Sequence, residues 1–210
     1  MKTTLLTLLL AASLALSGLA QAQTPKPPKP PKPPTRPAKP TLAPPLEAPL
    51  PEVPTSLLGM KVSSAAFKEG EVIPKDFGCL GRNVSPALTI LDVPANTKSV
   101  ALLLNDPDAR GGSFAHWLVY DLPVKEMVLA EAQPKTNNLP KGGTQGRNDF
   151  KNIGYDGPCP PEGYHRYEFT AYALDSLLGL PAGATRAELE KAMKGHVLKR
   201  ATLMGRYSKD

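Results

Sequence analysis

The chain has 210 residues, with 25 Pro, 17 Gly, 2 Cys and a formal charge of +6, which at roughly 100–200 residues per domain suits one domain and an appendage. Fourteen of the prolines fall in 24–54 with five Lys/Arg against two Glu, so 55–210 keeps 19 Lys/Arg against 17 Asp/Glu. A nearly neutral domain argues against a nucleic-acid binder, and two cysteines 80 positions apart argue against a zinc ribbon or a small disulfide scaffold.

Residues 1–22 read as a signal peptide. Lys2 precedes an apolar run over 5–16, then Ser17, Gly18 and Ala20-Gln21-Ala22, the charged start, apolar stretch and small-residue cleavage site of an export signal. The run is shorter than the ~20 apolar residues of a membrane-spanning helix, and no Cys follows it to carry a lipid. The expectation is export to the periplasm or the extracellular space. Residues 23–56 are expected to form a Pro/Lys-rich disordered spacer, because Pro removes backbone donors and fixes φ. Lys26, Lys29 and Lys32 would line one edge of a polyproline II helix at ~9 Å intervals. A hydrated spacer is the first reading, and contact with an anionic envelope surface is the second.

Residues 57–210 read as a mainly β domain. Runs 98–105 (KSVALLLN) and 114–122 (FAHWLVYDL) are apolar on both faces; their length, aromatic content and Pro stops favour strands over helices. Run 164–174 (YHRYEFTAYAL) is equally strand-like, and weaker strands are expected over 58–64, 87–91, 127–130 and 201–207. One helix is expected over 186–194, where Thr185 and Glu188 make a capping box and Gly195 stands at the end. The Gly/Pro/Asn/Asp stretch 136–163 is long enough for a functional loop.

Residues able to do chemistry gather at the strand ends. Asp106-Pro107-Asp108 closes one strand, with both carboxylates expected on one side, and His116 lies early in the next. His165-Arg166-Tyr167 follows the loop Gly157-Pro158-Cys159-Pro160-Pro161, a place where a cis X-Pro bond could occur. Imidazoles and backbone N–H groups donate to phosphate oxygens while a carboxylate accepts from an ammonium, so the set suits a phosphate monoester carrying an amine. Asp106 could instead be a structural partner of His116, Arg166 an internal ion pair, and Trp117, Tyr120 and Tyr172 core or wall residues. No metal-binding set and no cofactor are expected.

The runs NDPDA, FAHWLVYDLP and GRNDFKNIGYDGPCPPEGYHRYEFTAYALD, with SPAL at 85–88 and the GATRAELEKAMKGHVLKRATLMGRYS ending, resemble the phosphatidylethanolamine-binding protein family, and within it the bacterial Raf-kinase-inhibitor-like branch. The resemblance spans nearly all of 59–208. It implies a central antiparallel sheet packed on a smaller second sheet, a few short peripheral helices, and an anion pocket at one sheet end. By motif position it assigns ligand binding to Asp106, His116, His165 and Tyr167. It makes Asp108, Arg166, Gly157, Pro158, Pro160 and Pro161 the pocket framework. Arg110 replaces the proline of most relatives' DPDAP and could add a cation to the rim. The chain ends soon after Tyr207, where the animal proteins continue into another helix, so kinase regulation is not carried over.

Cys79 and Cys159 are compatible with a disulfide in an oxidising compartment or with two free thiols; the choice depends on a Cα separation the sequence does not contain. The leading function is an exported, non-enzymatic module that binds phosphate-bearing molecules or lipid headgroups such as phosphoethanolamine. The alternative is a protein-binding regulator, such as a serine-protease inhibitor, acting through 136–163. A hydrolase using Asp106 with His116 or His165 ranks last, because the chain has no G-x-S-x-G elbow and no H-E-x-x-H motif.

Overall fold

The two runs that are apolar on both faces become adjacent strands in the middle of a sheet. The computed structural model describes residues 59–125 and 128–209. Its strands are β1 (Lys61–Ser63), β2 (Leu88–Leu91), β3 (Ser99–Asp106), β4 (Phe114–Leu122), β5 (Val128–Leu129), β6 (Thr144–Gln145), β7 (His165–Leu174) and β8 (Val197–Tyr207), with one helix, α1 (Arg186–Met193), before β8. A single 3₁₀ turn covers Lys75–Phe77. A five-stranded sheet has the order β6-β4-β3-β7-β8 and a three-stranded sheet the order β1-β2-β5; all pairings between these strands are antiparallel. The mainly β, two-sheet architecture expected from the sequence is the one observed.

Alternation along β3 divides the interior. Val100, Leu102 and Leu104 pack with Val62, Leu88 and Ile90 in a core shared by both sheets. Ala101 and Leu103 face the other way and pack with Leu189 and Met193 of α1. Each side of a central strand is therefore covered, which is why these strands lack the polar face of a half-exposed one. The helix begins where the sequence indicates: the Thr185 hydroxyl accepts from the Glu188 N–H while the Glu188 carboxylate accepts from the Thr185 N–H. It ends before Gly195, whose φ of +85° lies in the left-handed region.

Two features of the sheet position the site. Leu104 pairs with Trp117 and Asn105 with Ala115, so His116 is the extra residue of a β-bulge, a device that redirects a side chain. The stretch 136–163 contains β6 and is pinned to the sheet by buried Gln145. The Gln145 Oε1 accepts from the Trp117 indole at 2.7 Å, and its Nε2 donates to the Pro134 and Thr136 carbonyls.

Several expectations are adjusted. Strand β8 starts at Val197 rather than at 201, because β7 pairs with it over the whole length although Lys199 and Arg200 are exposed. Strands expected over 58–64 and 127–130 are shorter, with residues 58 and 127 outside the described set. No cis peptide bond occurs among the described residues, so the Pro-rich loop is all-trans. Cys79 and Cys159 are joined in a disulfide, their Cα atoms 5.3 Å apart. The expected signal peptide (1–22) and spacer (23–56) lie outside the described residues. No helix among the described residues is long and apolar enough to cross a membrane.

Candidate functional site

Antiparallel pairing brings the end of β3 beside the starts of β4 and β7, and with them Asp106, His116 and His165. These three side chains line one cavity of about 190 Å³, completed by Ala109, Arg110, Phe114, Phe150, Cys159, Pro160 and Pro161. That is below the ~300–1,000 Å³ typical of sites for drug-sized ligands, so the space suits a headgroup or small ion. Larger surface hollows lie elsewhere, such as one of about 550 Å³ beside Pro74, Phe77 and Glu131, which has no imidazole on its lining.

Asp106 is buried, 3% exposed, and fully engaged at both oxygens. Its Oδ1 accepts from the Asp108 backbone N–H at 2.8 Å, and its Oδ2 lies 2.8 Å from His165 Nδ1. A carboxylate only accepts, so Nδ1 is the donor and the Nε2 edge of His165 is left for a ligand.

His116 is also 3% exposed. Its Nδ1 lies 2.9 Å from the Asp156 carbonyl and 3.1 Å from the Gly157 carbonyl; both can only accept, so Nδ1 carries a proton. The ring is surrounded edge-on by Phe114, Phe150 and Tyr167 at centroid distances of 5.2, 5.3 and 5.2 Å. Burial pushes its pKa below the ordinary imidazole value, although its backbone partners and the Asp106 charge act in the opposite direction. The resting ring is therefore neutral, with Nε2 a lone-pair acceptor that becomes a donor when protonated.

The expected residues are not all on the wall. Tyr167 is fully buried behind His116 and off the lining. Burial, followed by the Asp106 charge, raises its pKa. Asp106 and Asp108 do not share a side: Asp106 faces the cavity, whereas Asp108 binds Arg166 at the surface. The Asp108 Oδ2 accepts from Arg166 Nε at 2.9 Å and Oδ1 from Nη2 at 2.6 Å. That hydrogen-bonded guanidinium holds the Asp108 carboxyl at about 2. Pro160 and Pro161 line the cavity, whereas Gly157 and Pro158 are not on its lining and Gly157 lines a neighbouring hollow with Asn83 and Asp156. The tight fit at Gly157 is steric, since a Cβ there would lie 2.0 Å from the Phe77 carbonyl oxygen.

Behind the His116 carbonyl contacts sits an interaction centre that sequence reasoning missed. The Asp156 carboxylate accepts from Lys135 Nζ at 2.7 Å, Asn148 Nδ2 at 2.8 Å and Asn152 Nδ2 at 2.9 Å. Burial alone would raise its pKa, but these donors outweigh burial and lower it. The Asn148 amide and the Asp156 N–H also reach the His116 carbonyl, so the bulge is anchored by side-chain and backbone bonds together. Phe114 and Phe150 were missed as wall residues too; exposed Phe150, next to Asn148-Asp149, was the available signal. No cluster of three or more metal-ligating side chains occurs among the described residues.

Residues 63–208 match the family model described as phosphatidylethanolamine-binding protein. A UPF0098 protein of Aquifex aeolicus is 47% identical over 154 residues, covering 72% of this chain and 90% of the relative. The crystal structure of CT736 from Chlamydia trachomatis, described as a phosphatidylethanolamine-binding protein homologue, is 41% identical with a TM-score of 0.67, covering 72% of this chain and 99% of that one. E. coli YbcL, described as a member of the mammalian family, is 32% identical with a TM-score of 0.68, covering 73% and 100%. Family match, sequence identity and structural similarity agree, and the chain belongs to the phosphatidylethanolamine-binding protein family.

Proposed function

We propose that the chain is an exported binding module, not an enzyme, whose cavity between Asp106, His116 and His165 takes a phosphate group, free or carried on a lipid headgroup such as phosphoethanolamine. One observation supports this most: two imidazoles with Nδ1 already engaged by acceptors line the same small cavity. Each then offers Nε2, which donates to an anion once protonated. Asp106 acts as the positioning residue for His165, and the Asp156–Gly157 backbone does the same for His116. The aromatic and proline walls exclude water, strengthening each charge-assisted bond. The partner is accordingly a small anion or a phospholipid headgroup.

The test is calorimetric titration with inorganic phosphate and phosphoethanolamine at about pH 6, with His116→Gln and His165→Gln beside the parent chain. Binding that each substitution weakens about tenfold, the scale of one charge-assisted hydrogen bond, supports the proposal. Equal binding by all three proteins would place the anion elsewhere.

A further inference from the structure

Arg110 lines the cavity, and its Nη2 forms an ion pair with the Glu162 carboxylate. The two residues come from different segments, 52 positions apart in sequence: Arg110 follows the β3 turn, and Glu162 follows the lining prolines Pro160-Pro161. The pair therefore ties the turn after β3 to the segment that follows the lining prolines. Both side chains are largely exposed, 76% and 77%, and pairs of that kind contribute little and exchange readily. Arg110 precedes Gly111 and Gly112, whose φ values of +86° and +112° belong to the region glycine tolerates. The base of this loop is held where Ser113 and Arg186 meet at Asn105, so the tip carrying Arg110 can move without the strand end moving.

Arg110 also differs chemically from the other basic groups. Of the described lining side chains, it keeps its positive charge throughout the range in which imidazole titrates. Its fork of N–H donors matches two oxygens of one phosphate. A terminal phosphate presents three free oxygens and carries nearly two charges above its second pKa of ~6. A phosphate diester presents two free oxygens and one charge.

We propose that Arg110 is a specificity-determining residue, released from Glu162 by the entering ligand, and that it makes the cavity selective for terminal phosphate dianions over phosphodiesters. This rests on the phosphate-binding reading of the same cavity and narrows it: free phosphoethanolamine is a monoester and stays within it, whereas the phosphoethanolamine headgroup of a phospholipid is a diester and is disfavoured. Glu162 is the internal competitor: it holds the guanidinium at the mouth when no ligand is present and gives it up to a stronger anion. Free phosphate and a lipid bearing a terminal phosphate share the recognised chemistry.

The test is calorimetric titration of the full chain at about pH 8 with methyl phosphate and dimethyl phosphate, comparing parent, Arg110→Gln, Glu162→Gln and the double variant. The parent is expected to prefer methyl phosphate. Arg110→Gln should lose about five- to tenfold in methyl phosphate affinity and remove most of that preference. Glu162→Gln should tighten methyl phosphate binding by up to about fivefold, with a clearly smaller gain in the Arg110→Gln background. Circular dichroism melts check that these surface substitutions leave the fold intact. Phosphate binding with an unchanged preference in Arg110→Gln would overturn this inference alone. A full Glu162→Gln gain without Arg110 would overturn the competition and reduce Glu162 to a repelling charge. No binding of either probe or of inorganic phosphate, here and at about pH 6, would overturn the underlying reading as well. Inorganic phosphate and phosphatidylcholine vesicles containing phosphatidic acid separate the sources: vesicle retention lost in Arg110→Gln supports a lipid headgroup, and binding of phosphate alone supports a soluble ligand.

Discussion

His165 donates from Nδ1 to Asp106 Oδ2 at 2.8 Å, joining the first residue of β7 to the last of β3. The other Asp106 oxygen accepts from the Asp108 N–H, so the carboxylate serves a turn and an imidazole at once. Asp106→Asn keeps the shape but has only one acceptor oxygen, leaving either the backbone donor or the imidazole donor facing an amide N–H₂. The expected cost is about 1–3 kcal/mol of stability, read from urea denaturation, together with weaker phosphate binding. An unchanged midpoint and unchanged affinity would mean that the bond does not organise the site.

The buried His116 predicts a pH dependence with a definite sign. Its folded-state pKa lies below the ordinary value of 6.5, so between those values the unfolded chain binds more protons. Its contribution to stability is complete above about 6.5 and is lost as pH falls through the lower folded-state value. Phosphate affinity runs the other way, rising as the ring protonates. The charges of Asp106 and Asp156 act on the ring, Tyr167 packs edge-on against it, and His165 and Arg110 line the same cavity. NMR titration of the His116 ring should give a midpoint below 6.5 without ligand and a higher one with phosphate, and His116→Gln should flatten the acid limb of the binding curve.

The surface partner of the site has its own titration. Arg166 holds the Asp108 carboxyl at about 2, so Asp108 contributes stability above its ordinary value of 3.8 that disappears as pH falls through about 2. Carboxyl-carbon NMR should find that low midpoint, and Arg166→Ala should move it upward toward the ordinary value. The same midpoint in both proteins would contradict the Arg166 assignment.

The disulfide fastens the segment after the 3₁₀ turn to the cavity wall, since Cys159 lines the cavity and the Cys79 N–H donates to the Pro158 carbonyl at 3.0 Å. Closing a loop between positions 80 apart contributes about 4 kcal/mol in the chain-entropy picture. Cys79→Ser with Cys159→Ser should lower stability by that order in urea denaturation and weaken phosphate binding. A midpoint unchanged by the double substitution would show that the cross-link is not contributing.

The elements with strong apolar runs were legible in the sequence because both faces of β3 and β4 are covered, while β7 buries Tyr167, Phe169, Ala171 and Ala173 on one face. The first half of β8 was not, since Lys199 and Arg200 are exposed and only pairing with β7 makes 197–200 a strand. Short β6 was hidden for a related reason: its burial comes from Gln145 meeting Trp117, a long-range contact between a polar residue and a core indole. Motif resemblance identified Asp106, His116 and His165, and the structure brings them together around one cavity. It did not reveal that His116 reaches the cavity through a bulge, because a bulge depends on the register of two strands. Nor could it pair Arg110 with Glu162 or decide the state of the cysteines, since both depend on distances created by the fold.

A phosphate group held between His116 and His165 would touch both imidazole rings. The most direct measurement is NMR of the two imidazole rings during titration with inorganic phosphate at about pH 6, where imidazole is near its transition. Saturable shifts of both rings with one common dissociation constant, abolished together in His116→Gln/His165→Gln, are predicted. Rings that stay unmoved while phosphate is added, or that shift with unrelated constants, would contradict the account.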